Sequence, residues 1–196
     1  MITGAPDAPA VADESAVGAP ESSAAPSSPV DLVVAGTGAG VALFTLAVLG
    51  LGSRGVVGIV FLGALAALAV IDFRTHTIPN RIVLPSAALV LTLQLALFPD
   101  QALEWVLAAF GAAALLLALA LAKPSGIGMG DVKLGLLLGA GLGWDVAVAM
   151  LIGAIALWPF ALWVVLHDGV DARKQTLPLG PALAFGAAIV VLTSWY

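Results

Sequence analysis

Apolar residues in this chain come in long blocks rather than in stripes. From about residue 30 onward, runs of Ala, Leu, Val, Ile and Gly are broken only by short polar clusters. A helix that crosses a bilayer needs about 20 apolar residues, somewhat fewer where the membrane thins. The pattern predicts seven such helices, at about residues 30–51, 56–71, 82–98, 102–122, 132–144, 146–166 and 177–195. The polar breaks are brief, which suits antiparallel neighbours in one bundle. The expected class is therefore all-α: a polytopic transmembrane helix bundle of about seven spans, with residues 30–196 as one membrane-embedded domain. No internal repeat and no soluble domain is visible.

Composition agrees. The 196 residues are 61% hydrophobic and only 10% charged, with a mean hydropathy of +1.12. Soluble domains are about half apolar and about a quarter charged. Residues 1–29 stand apart, rich in Ala, Pro and Ser and carrying Asp7, Asp13, Glu14 and Glu21. They hold too little large apolar surface to offset the entropy of ordering and are expected to form a disordered tail. They show no basic region followed by an apolar core, so they do not read as a secretory signal. The net charge of −5 owes much to this segment, and no basic patch points to nucleic acid. The chain has no cysteine, which excludes disulfides, thiolate catalysis and cysteine zinc sites. His76 and His167 are isolated and make no metal-ligand cluster. No metal or cofactor is expected.

The basic residues set an orientation. With seven alternating spans, Arg74, Arg81, Lys123, Lys133, Arg173 and Lys174 fall on one side and Arg54 on the other. The positive-inside rule makes the first side cytoplasmic. The N-terminal tail is then cytoplasmic, and Trp195-Tyr196 is an outer aromatic anchor. Within the helices, Gly135, Gly139 and Gly143 repeat every four residues, the small-residue face that lets helices approach closely. Pro159 falls inside the sixth helix, where it removes a backbone donor.

Against this background two acids stand out. Asp72 ends the second apolar run, and Asp131 follows Gly126-Ile127-Gly128-Met129-Gly130 and opens the fifth. Ionisable groups at the edge of hydrocarbon are costly and mark functional sites by default. The topology puts both acids at one depth, on one side, on different helices. A structural reading of Asp131 is a helix N-cap. For Asp72 a structural reading is weaker, because the helix dipole disfavours a negative charge at a helix C-terminus. As a pair they suit aspartic-protease chemistry, in which one ionised and one protonated carboxyl hold a water for attack on a peptide carbonyl. Lys133 orients substrate, biases Asp131 or snorkels to the interface. Pro79-Asn80 is expected to turn the chain and cap the third helix. Gly128 and Gly130 shape the loop before Asp131. A proton relay or small transporter built on the same two acids is the competing reading, although a relay favours acids near the bilayer midplane.

These residues resemble the type IV prepilin peptidases, membrane aspartic proteases of the GxGD type. The likeness rests on Ile71-Asp72-Phe73-Arg74 with Thr77-Ile78-Pro79-Asn80-Arg81, on Gly128-Met129-Gly130-Asp131-Val132-Lys133-Leu134, and on Leu177-Pro178-Leu179-Gly180-Pro181 before the last helix. It implies that Asp72 and Asp131 are the catalytic pair and that Gly128 and Gly130 admit the substrate backbone. It also implies that the substrates are prepilins or pseudopilins, cut after a short basic leader at the cytoplasmic face of a bacterial inner membrane. Lacking cysteine, the chain resembles the short form without the zinc-binding methyltransferase domain. Presenilin-like proteases show Tyr-Asp at the first motif, where this chain has Ile71-Asp72. A scaffold of pilus assembly that keeps the motifs without turnover is a further expectation consistent with the residues.

Overall fold

The computed structural model of the chain describes residues 29–50, 52–75, 78–122, 127–168 and 179–195. The predicted disordered tail, the third motif's Leu177 and Pro178, and His76, Lys123, Arg173 and Lys174 lie outside the described residues, apart from Pro29, which opens the first helix. Among the described residues there are seven α-helices and no strand: α1 Pro29–Leu49, α2 Ser53–Thr75, α3 Asn80–Leu97, α4 Ala102–Ala122, α5 Met129–Leu142, α6 Val146–Asp168 and α7 Leu179–Ser194. Single 3-10 turns, Pro99–Gln101 and Gly143–Asp145, precede α4 and α6.

Each apolar block of the sequence has become a helix, and the differences lie at the ends. The predicted start of α5 at residue 132 is too late, and the helix begins at Met129. Its first bonds run from the Asp131 and Val132 amides to the Gly128 carbonyl, so Asp131 sits inside the first turn rather than at the cap. Hydropathy marks where hydrocarbon begins, whereas backbone bonding begins where φ and ψ permit.

Among the described residues, four stretches are long and apolar enough to cross a membrane: Ser53–Arg74, Asn80–Leu97, Pro99–Ala122 and Met129–Pro159. The last contains the turn at Gly143, whose φ of +59° is open to glycine at little cost. At 16 residues, α7 is about 24 Å long, short of the roughly 30 Å of a bilayer core. The chain is thus an all-helical, multi-pass membrane protein.

The core is built around α5. From Leu134 to Leu142 every residue of this helix except Leu136 is buried, as befits a helix apolar all round. Leu134, Leu137 and Leu138 pack with Phe61, Leu65 and Leu68 of α2, Val83 and Val90 of α3, and Val190 and Val191 of α7. The fourth neighbour is α4, and here the glycine repeat acts. A Cβ on Gly139 would overlap the carbonyl of Ala108, and one on Gly135 would stand 2.7 Å from Leu116 Cδ1. In lipid, where apolar burial gives little net drive between helices, such close backbone packing supplies the association. A similar seam joins α6 to α7, where Gly153 faces Ala182 and Gly186 faces Ala149. Gly143 belongs to the turn rather than to the helical seam.

One polar tie crosses this core. The side-chain amide of Gln94, on α3, donates to the Gly141 carbonyl at 3.1 Å. Gly141 lies in the last turn of α5, where carbonyls lack helical partners.

Candidate active site

Helix direction brings four termini to one end of the bundle: the end of α2 and the starts of α3, α5 and α7. Asp72 stands one turn before the end of α2 and is only 6% exposed. A carboxylate there opposes the negative end of its own helix dipole and loses water as well. The tertiary fold supplies the compensation. The Gly180 backbone N–H, in the first turn of α7, donates to Asp72 Oδ2 at 3.1 Å. First-turn amides have no intrahelical acceptor, and the helix N-terminus carries partial positive charge. Asp72 therefore sits at the C-terminus of one helix and under the N-terminus of another.

Asp131 is held by its own helix. Gly128 occupies the N-cap with extended backbone, φ −83° and ψ 157°. Asp131, three residues on, accepts the Gly128 N–H at Oδ2, 3.0 Å away. This is one half of a capping box. Glycine has no side chain to complete it, and the Gly128 carbonyl takes the Asp131 amide instead, at 3.1 Å. Asp131 is half-buried, and the two carboxyl groups lie within range of each other's charge. The structure thus brings Asp72 and Asp131, 59 positions apart in the chain, to the same end of the bundle. Each accepts a backbone N–H at the start of a helix.

The remaining sequence-predicted residues gather at the same end. Pro79 is the N-cap of α3, with no side-chain cap, and its carbonyl accepts the Ile82 and Val83 amides at 3.1 and 3.2 Å. The cap expected at Pro79-Asn80 thus falls on Pro79. Asn80 occupies the first helical position, and its Oδ1 accepts a hydrogen bond from Lys133 Nζ at 2.6 Å. Lys133 therefore ties the start of α5 to the start of α3. Gly130 lies in the first helical turn, and a Cβ there would stand 3.0 Å from Ile78 Cβ. The Ile78–Asn80 segment and the Gly128–Lys133 segment are thus packed face to face. No group of three or more metal-ligating side chains occurs among the described residues.

Gly180 is the member of the site that residue-level reasoning did not single out. A Cβ at this position would stand 2.6 Å from Asp72 Oδ2 and 3.1 Å from its Cγ, so the close approach requires glycine. The available signal was a glycine between two prolines, Pro178 and Pro181, at the head of the last apolar run. Its partner, however, is 108 positions away.

Fold and site together define a class: a multi-pass helical membrane protein with two carboxyl groups held at one end of its bundle. The chain belongs to the type IV leader peptidase family, whose model matches residues 59–165, a span that holds both acids. It is 30% identical over 137 residues to a prepilin leader peptidase/N-methyltransferase of Bacillus subtilis (strain 168). That similarity covers 68% of this chain and 54% of the relative, so the chain spans about half the relative's length. No solved structure matches it significantly.

Proposed function

We propose that this chain is an aspartic endopeptidase that removes the short basic leader from prepilins or pseudopilins, with Asp72 and Asp131 as its catalytic pair. The observation that carries this reading is the placement of the two acids. They lie on different helices, at one end of the bundle, in each other's electrostatic range, inside the segment matched by the leader peptidase family. Two carboxyl groups in each other's electrostatic range can hold one proton between them. The ionised member takes a proton from a water held between them as that water attacks the scissile carbonyl carbon. The protonated member donates to the carbonyl oxygen. As the tetrahedral intermediate collapses and the C–N bond breaks, the first carboxyl gives the proton it took from water to the leaving amine, and a hydroxyl of the intermediate returns its proton to the second. In this reading Gly128 and Gly130, without side chains, admit the substrate backbone, and the Lys133–Asn80 tie keeps the two loop segments in register.

Orientation follows from charge. Arg74, Arg81 and Lys133 belong to the aspartate end and Arg54 to the other, which makes the aspartate end cytoplasmic and supports seven spans with the N-terminus inside. A basic leader would meet the acids there as its apolar helix rests in the bilayer of a bacterial plasma membrane.

The test is reconstitution. The purified chain in liposomes, given a prepilin with its leader, is expected to yield one cut between the leader and the apolar helix, read by product mass. Intact substrate, or cuts scattered along it, would overturn the reading. Gly180 is a positioning residue in this scheme. Gly180→Ala pushes the Asp72 carboxylate aside by about an ångström, and misplacement on that scale costs about a hundredfold. The loss is expected in kcat with KM and thermal unfolding nearly unchanged. A rise in KM alone would argue that Gly180 serves substrate binding instead.

A further inference from the structure

The opposite end of the bundle holds a polar cavity that the peptidase reading does not use. Its volume is about 210 Å³, room for several waters. It lies where α3, α5 and α7 end and where α2, α4 and α6 begin. Two side chains in its wall are buried and lack a partner among the described residues: Gln94 Oε1, in a residue 1% exposed, and Trp105 Nε1, in a residue 8% exposed.

The chemistry of these two atoms is complementary. Gln94 Nε2 is committed to the Gly141 carbonyl, which leaves its oxygen, an acceptor, buried in the cavity wall without a partner among the described residues. Trp105 Nε1–H is a donor only. An occupant must therefore donate at one point and accept at another. The charged residues around the cavity divide in the same way. Glu104 and Asp145 supply two carboxylates, and Arg54 a guanidinium. Glu104 gives one oxygen to the Trp144 amide at 3.2 Å and keeps further acceptor capacity. The cavity thus carries acceptors and negative charge for a cation bearing N–H groups, and donors and positive charge for an anion.

We propose that this cavity binds the phosphoethanolamine group of a phospholipid, at the membrane face away from the aspartates. The primary ammonium sits against Gln94 Oε1, Glu104 and Asp145. The phosphate sits against Trp105 Nε1–H and Arg54. A choline headgroup has no N–H and would leave the buried Gln94 oxygen unsatisfied. A phosphoglycerol headgroup brings negative charge against two acids with no cation of its own. Exposed Arg54 opens the cavity to the surface, and Trp195 beside it is the kind of residue that sits at headgroup level. The site is independent of the peptidase reading, and its test does not depend on cleavage.

The experiment is native mass spectrometry of the purified full chain titrated with phosphatidylethanolamine and phosphatidylcholine of equal acyl length. Thermal unfolding with soluble glycerophosphoethanolamine and with inorganic phosphate runs alongside. Phosphatidylethanolamine is expected to bind about tenfold more tightly than phosphatidylcholine. Gln94→Leu is expected to erase that preference, and Arg54→Ala to weaken both lipids. Should Gln94→Leu fail to fold, Trp105→Phe, which removes one N–H and little volume, is expected to weaken phosphatidylethanolamine severalfold. Equal affinity for the two lipids overturns the proposal, as does a preference untouched in the folded variants. Binding of the soluble headgroup or of inorganic phosphate as tight as that of the lipid assigns the cavity to a free phosphate compound and overturns it too.

Discussion

Asp72→Asn and Asp131→Asn, each alone, are expected to abolish leader removal, with a loss of about 10⁴-fold or more in kcat. The substitution is nearly isosteric. An asparagine Oδ1 at position 72 still accepts the Gly180 amide, and one at position 131 still accepts the Gly128 amide. The fold is therefore retained while the proton chemistry is lost, since an amide neither takes a proton from water nor donates one to a carbonyl at neutral pH. Residues that act as a unit are not additive, so the double variant is expected to be no worse than either single one. Asp100→Asn, at the exposed 3-10 turn before α4, is the control and is expected to process normally. The measurement is the processed fraction of a co-expressed prepilin, followed over time beside a membrane-integration check. Near-normal processing by either single variant would sink the two-acid mechanism.

The second large effect concerns the fold. Gly139→Ala is expected to destabilise the protein by about 1–3 kcal/mol, the usual range for overpacking. Gly139→Leu is expected to prevent α4 and α5 from docking at all. The reason lies in what the new atom would meet. At Gly139 it would meet the Ala108 carbonyl and stand 2.6 Å from the Ala109 Cα, and backbone cannot swing away as a side chain does. Gly111, on α4, has nothing within 4 Å of an added Cβ. Gly111→Ala is therefore expected to be neutral, or to gain up to about 1 kcal/mol of helix propensity. Unfolding in one detergent compares all three variants. A Gly139→Ala as stable as the parent would mean that the seam is looser than its geometry. Because α5 carries Asp131, any parting of α4 from α5 would reach the site as well.

Much of the candidate site was legible before any fold was known. Asp72 and Asp131 could be found because charge beside hydrocarbon is rare and costly. Their shared end of the bundle followed from counting alternating helices. The Pro79-Asn80 pair was placed at the start of α3, where Pro79 is the N-cap, but the partner of the Asn80 side chain was not legible. The lysine that captures Asn80 lies 53 positions away. The small-residue repeat on α5 announced a seam, yet it could not say that α4 fills it, nor that Gly143 turns the chain.

What the sequence determined by itself is what depends on composition and local order. An apolar block needs only its own backbone bonds to become a helix in lipid, so the helices and their all-α class could be read directly. The acids at their ends are likewise local facts. The tertiary structure decided how a buried carboxylate is tolerated at the wrong end of a helix dipole. The Gly180 amide at the head of α7 reaches Asp72, and the absence of a side chain at that position lets it come close. Hydrogen bonds between helices act over about 3 Å, and no local pattern encodes which distant segment will arrive within that distance.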